Sequence, residues 1–157
     1  MIGIGIILYT FDLDHLNTRA YAALAKKFVE LNDQLYAKVV ENVSGRILKK
    51  QTGELASQIY REVTIGQDTM LGEVGVRPES PKAWALEKGG KGYYAILPNK
   101  SHILHFYWGK LGKMVFLPSV NHPPSRKFGY LISALEEMRT LVPEEMDRAL
   151  HQALGGR

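Results

Sequence analysis

Apolar residues recur at intervals of three and four along the first third of the chain. The members of this stripe are Leu16, Ala20, Leu24, Phe28, Leu31, Leu35 and Val39. Such spacing places every member on one face of an α-helix. We therefore predict a helix over residues 12–50, with Asp12 or Asp14 as its N-cap and Gly45 as a break near its end.

A second, shorter helix is predicted in the segment TGELASQIYREV, where Thr52 is a good N-cap. Leu55 and Ile59 are four residues apart, which puts them on one face of that helix. The next segment, REVTIGQDTMLGEVGV, contains two strand-like runs around a Gly-Gln-Asp-Thr turn. That pattern predicts a β-hairpin.

Residues 77–100 contain three prolines and three glycines, a composition typical of loops. A loop of this length is unusual in a small domain, so we expect it to be functional or to become ordered on binding. Aromatic residues within it, Trp84, Tyr93 and Tyr94, suggest that it lies against another surface.

A second hairpin is predicted at HILHFYWGKLGKMVF, with residues 109–112 as its turn. We expect one face of this hairpin to join the core, and the other face or the tip at Lys110 to meet a neighbouring molecule. The remaining sequence predicts an amphipathic C-terminal helix that Pro143 kinks or splits and that ends at Gly155 and Gly156. Its apolar stripe comprises Leu131, Leu135, Met138, Val142, Met146, Ala149 and Leu150.

These elements together predict one α+β domain over residues 1–157, with the long loop at about 77–100. We expect a small antiparallel or mixed β-sheet packed by a long N-terminal helix and a C-terminal amphipathic helix. The apolar run over residues 1–11 is too short to cross a bilayer and lacks the features of a secretion signal. It is therefore predicted to be a strand, and we expect a soluble protein without membrane contact.

Charge and composition restrict the classes of function that this chain can have. The chain has no cysteine, which excludes disulfides, thiol nucleophiles and thiolate metal sites. Residues 82–127 carry eight lysines or arginines but one acidic residue, Glu87, whereas the C-terminal helix is rich in glutamate. A basic middle and an acidic end are compatible with nucleic-acid binding, and equally with docking between identical subunits.

The sequence contains few residue patterns that are typical of a catalytic site. His102 and His105 are three residues apart, so in a strand they point to opposite faces and cannot share one metal. His122 precedes two prolines, which is typical of a turn. The glycines near the N-terminus and at residues 88–92 lack the spacing of nucleotide-binding loops, and the serines lack a nucleophile-elbow context. We therefore expect a protein that is not an enzyme and that uses no metal or cofactor; a histidine-ligated metalloenzyme is the weaker alternative.

Three segments, KKQTGELASQI, ALEKGGKG and HPPSRKFGYLISAL, occur in a characteristic order. This order resembles the small neck and tail-completion proteins of long-tailed bacteriophages, which include minor tail and head–tail joining proteins. Gly129 stands where a helix-forming residue is commoner in that family, and the segment over residues 93–113 is longer and more aromatic. The residues that carry the resemblance are Thr52, Gly53, Leu55, Ser57 and Ile59, then Glu87 and Gly89, then Pro124, Arg126, Phe128 and Ala134.

The resemblance implies a structural virion protein that acts in tail completion or head–tail joining. It implies assembly in the host cytoplasm into a ring-type homo-oligomer, of which a hexamer is one form, or addition to an existing ring. Expected partners are the tail terminator, tail tube or head connector, and DNA would pass nearby without sequence-specific binding. A basic nucleic-acid-binding module is the alternative from another class, and it would use the stretch over residues 82–127.

Two roles remain open for the residues of the resemblance. Thr52 and Gly53 are expected to join two helices, Leu55 to pack on the sheet, and Phe128 to enter the core, while Arg126 pairs with a carboxylate or a helix end. These residues either maintain the fold or shape a subunit contact. For the contact itself the sequence indicates basic and aromatic residues in the middle of the chain, namely Lys88, Lys91, Tyr93, Tyr94, Lys110 and Lys113.

Overall fold

The apolar stripe of the N-terminal region forms the predicted helix. A computed structural model describes residues 4–7, 18–49, 53–66, 69–77, 83–90, 92–99, 102–124 and 126–155. Helix α1 spans Thr18–Glu41 and a π-helical turn follows at Asn42–Arg46. The six stripe residues from Ala20 to Val39 are all buried, which confirms the helical pattern. Gly45 has a φ of 151° inside the π-helical turn, so the predicted break is also confirmed; Asp12, Asp14 and Leu16 lie outside the described residues.

Three strands form an antiparallel sheet in the order β1-β3-β2. Strand β1 is Ile4–Ile7, β2 is Ile59–Ile65 and β3 is Met70–Val76. The β2–β3 hairpin is closed by the Gly66 amide, which donates to the Thr69 carbonyl at 2.8 Å. The first predicted hairpin and, over the described residues, the N-terminal strand are therefore confirmed.

The second predicted helix is shorter than its pattern suggested. Helix α2 is a single turn, Glu54–Ser57, with Gly53 as N-cap at a φ of 77°, and Thr52 lies outside the described residues. Ile59 already belongs to β2, so the prediction that it shares a helical face with Leu55 is wrong. The run from Ile59 to Ile65 is rich in β-branched residues and pairs along its full length with β3, which favours the strand.

One face of the sheet packs on α1, and the C-terminal helices complete the core. Helix α4 spans Tyr130–Met138 and α5 spans Leu141–Gly155, so the predicted helix is split as expected. Pro143 lies in the first turn of α5, where its missing amide removes no intrahelical hydrogen bond. The largest fully buried side chains come from all these layers, among them Tyr130, Phe28, Leu31, Met70 and Met138.

The predicted loop over residues 77–100 contains regular structure. Helix α3 is Ala83–Lys88 and strand β4 is Tyr94–Ile96. The prediction of one long loop is therefore wrong here: an apolar face of α3 reaches the core through Ala83, and backbone pairing captures the second segment. The prolines and glycines that suggested a loop lie in the sequence before, between and after these two short elements.

Four strands build an extension that we call the β arm, defined as residues 92–99 and 102–124. Strand β4 pairs with β7, Val120–His122, and β5, Leu104–Trp108, pairs with β6, Lys113–Leu117. The Leu111 amide donates to the Trp108 carbonyl at 2.9 Å in the turn, which confirms the second predicted hairpin. The molecule is thus an α+β fold with a three-stranded sheet, a long N-terminal helix and C-terminal helices, as predicted.

Candidate docking surface

The β arm carries most of the exposed apolar surface of the described residues. Sixteen large hydrophobic side chains are exposed in all, and eleven of them lie on the arm. None of the arm residues belongs to the core cluster or packs against it. The eleven are Tyr93, Tyr94, Ile96, Leu97, Ile103, Phe106, Tyr107, Trp108, Leu111, Met114 and Phe116.

Both faces of the β5–β6 hairpin are apolar. Opposite residues of an antiparallel pair lie on the same face, so the register places Phe106 and Trp108 on one face and Tyr107, Met114 and Phe116 on the other. Tyr107 and Phe116 are 64% and 67% exposed, and Phe106 and Trp108 are 37% and 41% exposed. An antiparallel ribbon with one solvated face would alternate apolar and polar side chains, and this one does not.

The prediction that one face of this hairpin joins the core is therefore wrong. Its aromatic residues pack on one another instead: His105 stacks on Phe116 with ring centroids 6.4 Å apart, and Phe106 lies 6.3 Å from Trp108. The sequence pattern identified an apolar ribbon correctly, but an apolar ribbon is equally compatible with a core and with an intermolecular contact.

The described basic and aromatic residues selected from the sequence occupy three places: the end of the β5–β6 hairpin, the base of the β arm and helix α3. Lys110 and Lys113 are exposed at the end of the β5–β6 hairpin, and we call them the arm-tip lysines. Tyr93 and Tyr94 lie at the base of the arm with exposures of 78% and 49%. Lys91 lies outside the described residues.

The remaining predicted contact residue, Lys88, is on α3 and not on the arm. Its ammonium nitrogen lies 4.1 Å from the ring centroid of Trp84, a cation–π contact on an exposed part of the helix. At the arm base the ring of Tyr94 stacks on His122 at 5.1 Å. His122 is the last residue of β7, so its assignment to a turn is wrong.

The histidines do not form a metal site within the described part of the chain, where no group of three metal-binding side chains comes together. His105 is in β5, whereas His102 precedes that strand and is exposed. The His122 ring nitrogen Nδ1 lies 2.7 Å from the Pro123 carbonyl.

The second and third segments of the resemblance form one local unit. Glu87 is buried, and its carboxylate accepts the Leu131 and Ile132 amides at 2.8 and 3.0 Å, so it caps the N-terminus of α4. The Phe128 amide donates to the Leu86 carbonyl at 2.8 Å. Burial raises the pKa of the Tyr130 hydroxyl, and the Glu87 charge adds to that rise.

Two glycines with left-handed backbone conformations lie where α3 ends and where α4 begins. Gly89 follows the last residue of α3 with a φ of 89°, which is typical of the residue that ends a helix. Gly129 is the N-cap of α4 with a φ of 61°, so it precedes that helix and does not weaken it. A side chain at Gly129 would place its Cβ 3.0 Å from Ile132 Cγ2.

Other residues of the resemblance have local roles. Phe128 and Leu55 are half-buried and pack against the core cluster, which agrees with the expected position of Phe128; the expected packing of Leu55 on the sheet stays a prediction. The Arg126 guanidinium lies 5.8 Å from the Phe128 ring centroid. The expected pairing of Arg126 with a carboxylate or helix end is not found among the described residues, and Pro124 is exposed.

Much of the acidic charge of the C-terminal helices is paired inside the molecule. Glu137 accepts from Lys38 at 2.9 Å and from Arg46 at 2.7 Å, and Glu145 lies 3.6 Å from Lys27. The Arg46 and Lys38 hydrogen bonds lower the pKa of Glu137 to about 2. These pairs join the C-terminal helices to α1 and the π-helical turn, so the acidic end is less available to a partner than its sequence suggests.

Sequence analysis missed an acidic surface on the sheet. On the face opposite α1, Glu62 of β2 stands directly beside Glu73 of β3 in the strand register. Tyr60 donates its hydroxyl hydrogen to Glu73, and burial, this bond and the two negative charges raise its pKa to about 12. We call this the acidic sheet face; its members are Tyr60, Glu62, Thr64, Leu71 and Glu73.

Two carboxylates directly opposite each other on neighbouring strands repel. Glu62 is exposed, and among the described residues neither carboxylate has an ion-pair partner. The hairpin register was the signal that could have revealed this pair, since counting outwards from the Gly66–Thr69 turn brings the two glutamates together.

Comparison with known proteins gave no family model, no curated protein and no solved structure that matches this chain. Within the described part of the chain, no helix combines the length and the apolar character needed to span a bilayer.

Proposed function

We propose that this chain is a non-catalytic structural subunit of the virion of a long-tailed bacteriophage. In this proposal it forms or joins a ring in tail completion or head–tail joining, at the neck or the tail end. Its partners are further copies of itself and a tail terminator, tail tube or head connector. Assembly takes place in the cytoplasm of the bacterial host.

The observation that carries the proposal is the exposed β arm, which is apolar on both faces. Its eleven exposed side chains present roughly 1,000 Å² of apolar surface if each offers about 200 Å² when fully exposed. This total is spread over two strand pairs and over both faces of the hairpin, and a standard interface buries about 800 Å² per partner. A surface of this size supports a role in assembly.

The local unit formed by the second and third segments of the resemblance supports the same proposal. The resemblance rests on short segments that are separated by more than thirty residues of sequence, between Gly89 and Pro124. In the fold these segments meet next to the β arm, where the Phe128 amide donates to the Leu86 carbonyl and the Gly129 amide donates to the Glu87 carbonyl. These bonds fix the start and the end of the arm on the rest of the molecule, which we call the body. A fixed attachment suits an element that contacts a neighbouring molecule.

The proposal is tested by deleting the gene from a phage that encodes this chain and examining the particles by negative-stain electron microscopy. We expect filled heads and separate tails, with infectivity restored by the intact gene supplied in trans. Joined, infectious particles formed without the gene would refute the proposal.

The arm-tip lysines favour one second function, single-stranded nucleic-acid binding. Exposed Lys110 and Lys113 lie beside exposed Tyr107 and Trp108, and basic residues next to aromatic rings can hold a nucleotide chain. Salt-dependent binding of single-stranded DNA by the purified monomer, lost in Tyr107→Ala and Trp108→Ala, would support this alternative. Binding that is equally weak in all variants would exclude it.

A further inference from the structure

The β arm needs a partner surface whose charge is opposite to its own. The arm itself contains two basic residues, Lys110 and Lys113, and no acidic one, and the wider stretch over residues 82–127 has a net charge of +7. Because the whole chain has a net charge of +4, the remaining residues carry a net charge of −3. The two parts of one chain are thus complementary in charge, which suits a contact between copies.

The acidic sheet face is the matching surface on the body. It combines the repelling pair Glu62 and Glu73 with the partly exposed apolar or amphipathic side chains of Tyr60 and Leu71. A cation placed between the carboxylates would relieve their repulsion. The arm tip offers the same combination with opposite charge, two lysines around the exposed Leu111.

We propose that the β arm of one copy docks on the acidic sheet face of a second copy, with the arm-tip lysines paired to the two glutamates. This inference rests on the proposed function, since it names the surfaces by which the ring would close. The contact joins two different surfaces, so it is heterologous and propagates from copy to copy until a ring closes.

Within the described residues, the charges of these two surfaces have no ion-pair partner, although Glu73 accepts the Tyr60 hydroxyl. The ion pairs of the described residues include neither arm-tip lysine, and neither Glu62 nor Glu73 has a cationic partner among them. In the part of the chain that the structure describes, no ion pair therefore competes with a contact from a neighbouring copy. The apolar faces of the hairpin behind the tip would then be covered by the same neighbour, which offsets the cost of ordering the contact.

A charge-swap experiment tests the contact. The arm variant carries Lys110→Glu and Lys113→Glu, and the face variant carries Glu62→Lys and Glu73→Gln. Glutamine at position 73 keeps an oxygen that can accept the Tyr60 hydroxyl, so the sheet should remain folded. Matched controls on other exposed positions are Lys49→Glu and Glu41→Lys.

Sedimentation velocity over a concentration series measures the association of each protein, and circular dichroism checks that it is folded. We expect the wild type and both controls to self-associate. Each variant alone should need at least a tenfold higher concentration to associate, because like charges meet at the contact. An equimolar mixture of the two variants should associate again, since each contact then joins opposite charges.

Several outcomes would overturn the inference. One is a face variant, still folded, that associates like the wild type. Another is a mixture of the two variants that stays dissociated. A third is a wild type that remains monomeric at every concentration while the arm binds single-stranded DNA or phosphatidylserine vesicles.

Failure of this inference is distinguishable from failure of the proposed function. If the charge-swap result is negative but gene deletion still leaves heads and tails separate, the chain is a virion protein that docks by other surfaces. If gene deletion leaves particles intact, the proposed function itself fails, whatever the association assay shows.

Discussion

The buried carboxylate of Glu87 joins α3 to the start of α4, and its removal should destabilise the protein. Glu87→Ala leaves the Leu131 and Ile132 amides without their acceptor at the start of α4, at a cost of about 1–3 kcal/mol. Glu87→Gln keeps one oxygen and should cost less. Urea denaturation measures both, with Gln34→Ala on exposed α1 as control. Equal stability of Glu87→Ala and wild type would contradict this role.

Glu137 gives the stability of the molecule a specific pH dependence. Its pKa is lowered to about 2 by Arg46 and Lys38, from a model-compound value of 4.5. A carboxylate with a depressed folded pKa contributes stability above its unfolded pKa, and that contribution is lost as the pH falls from about 4.5 towards 2. Because the pair is partly exposed, we expect a contribution of only about 1 kcal/mol.

Urea denaturation of Glu137→Gln at pH 6 and pH 2.5 tests this expectation. The variant should be less stable than the wild type at pH 6, and the difference should shrink at pH 2.5. The control Glu41→Gln changes an exposed carboxylate at the end of α1, the helix of Lys38, that accepts none of these bonds. A difference that is unchanged between the two pH values would show that the charge of Glu137 is not responsible.

At the scale of elements, the close approach of α1 to the sheet depends on Gly72. A Cβ at this position would lie 2.9 Å from Asn32 Oδ1 and 3.2 Å from Phe28 Cζ, and both neighbours are buried. Gly72→Ala should therefore force the helix away from β3 and cost about 1–3 kcal/mol. Thermal unfolding followed by circular dichroism measures the loss. The control Gly92→Ala adds the same methyl group where nothing lies within 4 Å.

Elements with strong periodicity were predictable from the sequence, and short ones were not. The stripe of α1 and the two hairpins follow from local spacing and turn residues, so their positions agree with the prediction. The six-residue helix at Ala83–Lys88 and the strand at Tyr94–Ile96 are fixed by packing of Ala83 in the core and by pairing with a distant strand. Neither influence leaves a period in the sequence that a short window can detect.

The candidate surface was predictable in its composition but not in its orientation. Aromatic and basic residues between Tyr93 and Lys113 were predicted to form a contact, because such residues are enriched where molecules meet, and the structure places them on an exposed ribbon. Whether an apolar ribbon faces the core or the solvent depends on where the chain enters and leaves it. Here hydrogen bonds from the Phe128 and Gly129 amides to the Leu86 and Glu87 carbonyls hold both ends of the segment at one place, and the ribbon takes no part in the core.

The whole molecule divides into a body with a complete core and an arm that takes no part in it. Every residue of the core cluster lies outside the arm, so the body's stability should not depend on the arm's side chains. A variant with Tyr107→Ser, Leu111→Ser and Phe116→Ser should unfold within about 3 °C of the wild type, since exposed substitutions usually change stability by less than about 0.5 kcal/mol.

The same triple variant should lose association, because it removes apolar area on the hairpin faces and tip without changing any charge. A matched triple variant at exposed positions of the body, Val29→Ser, Ile65→Ser and Leu154→Ser, should associate normally. Calorimetry and sedimentation velocity on the two proteins separate folding from assembly. If the arm variant instead unfolded far below the wild type, the arm would be a stabilising part of the core structure, and its exposed apolar surface would need no partner to explain it.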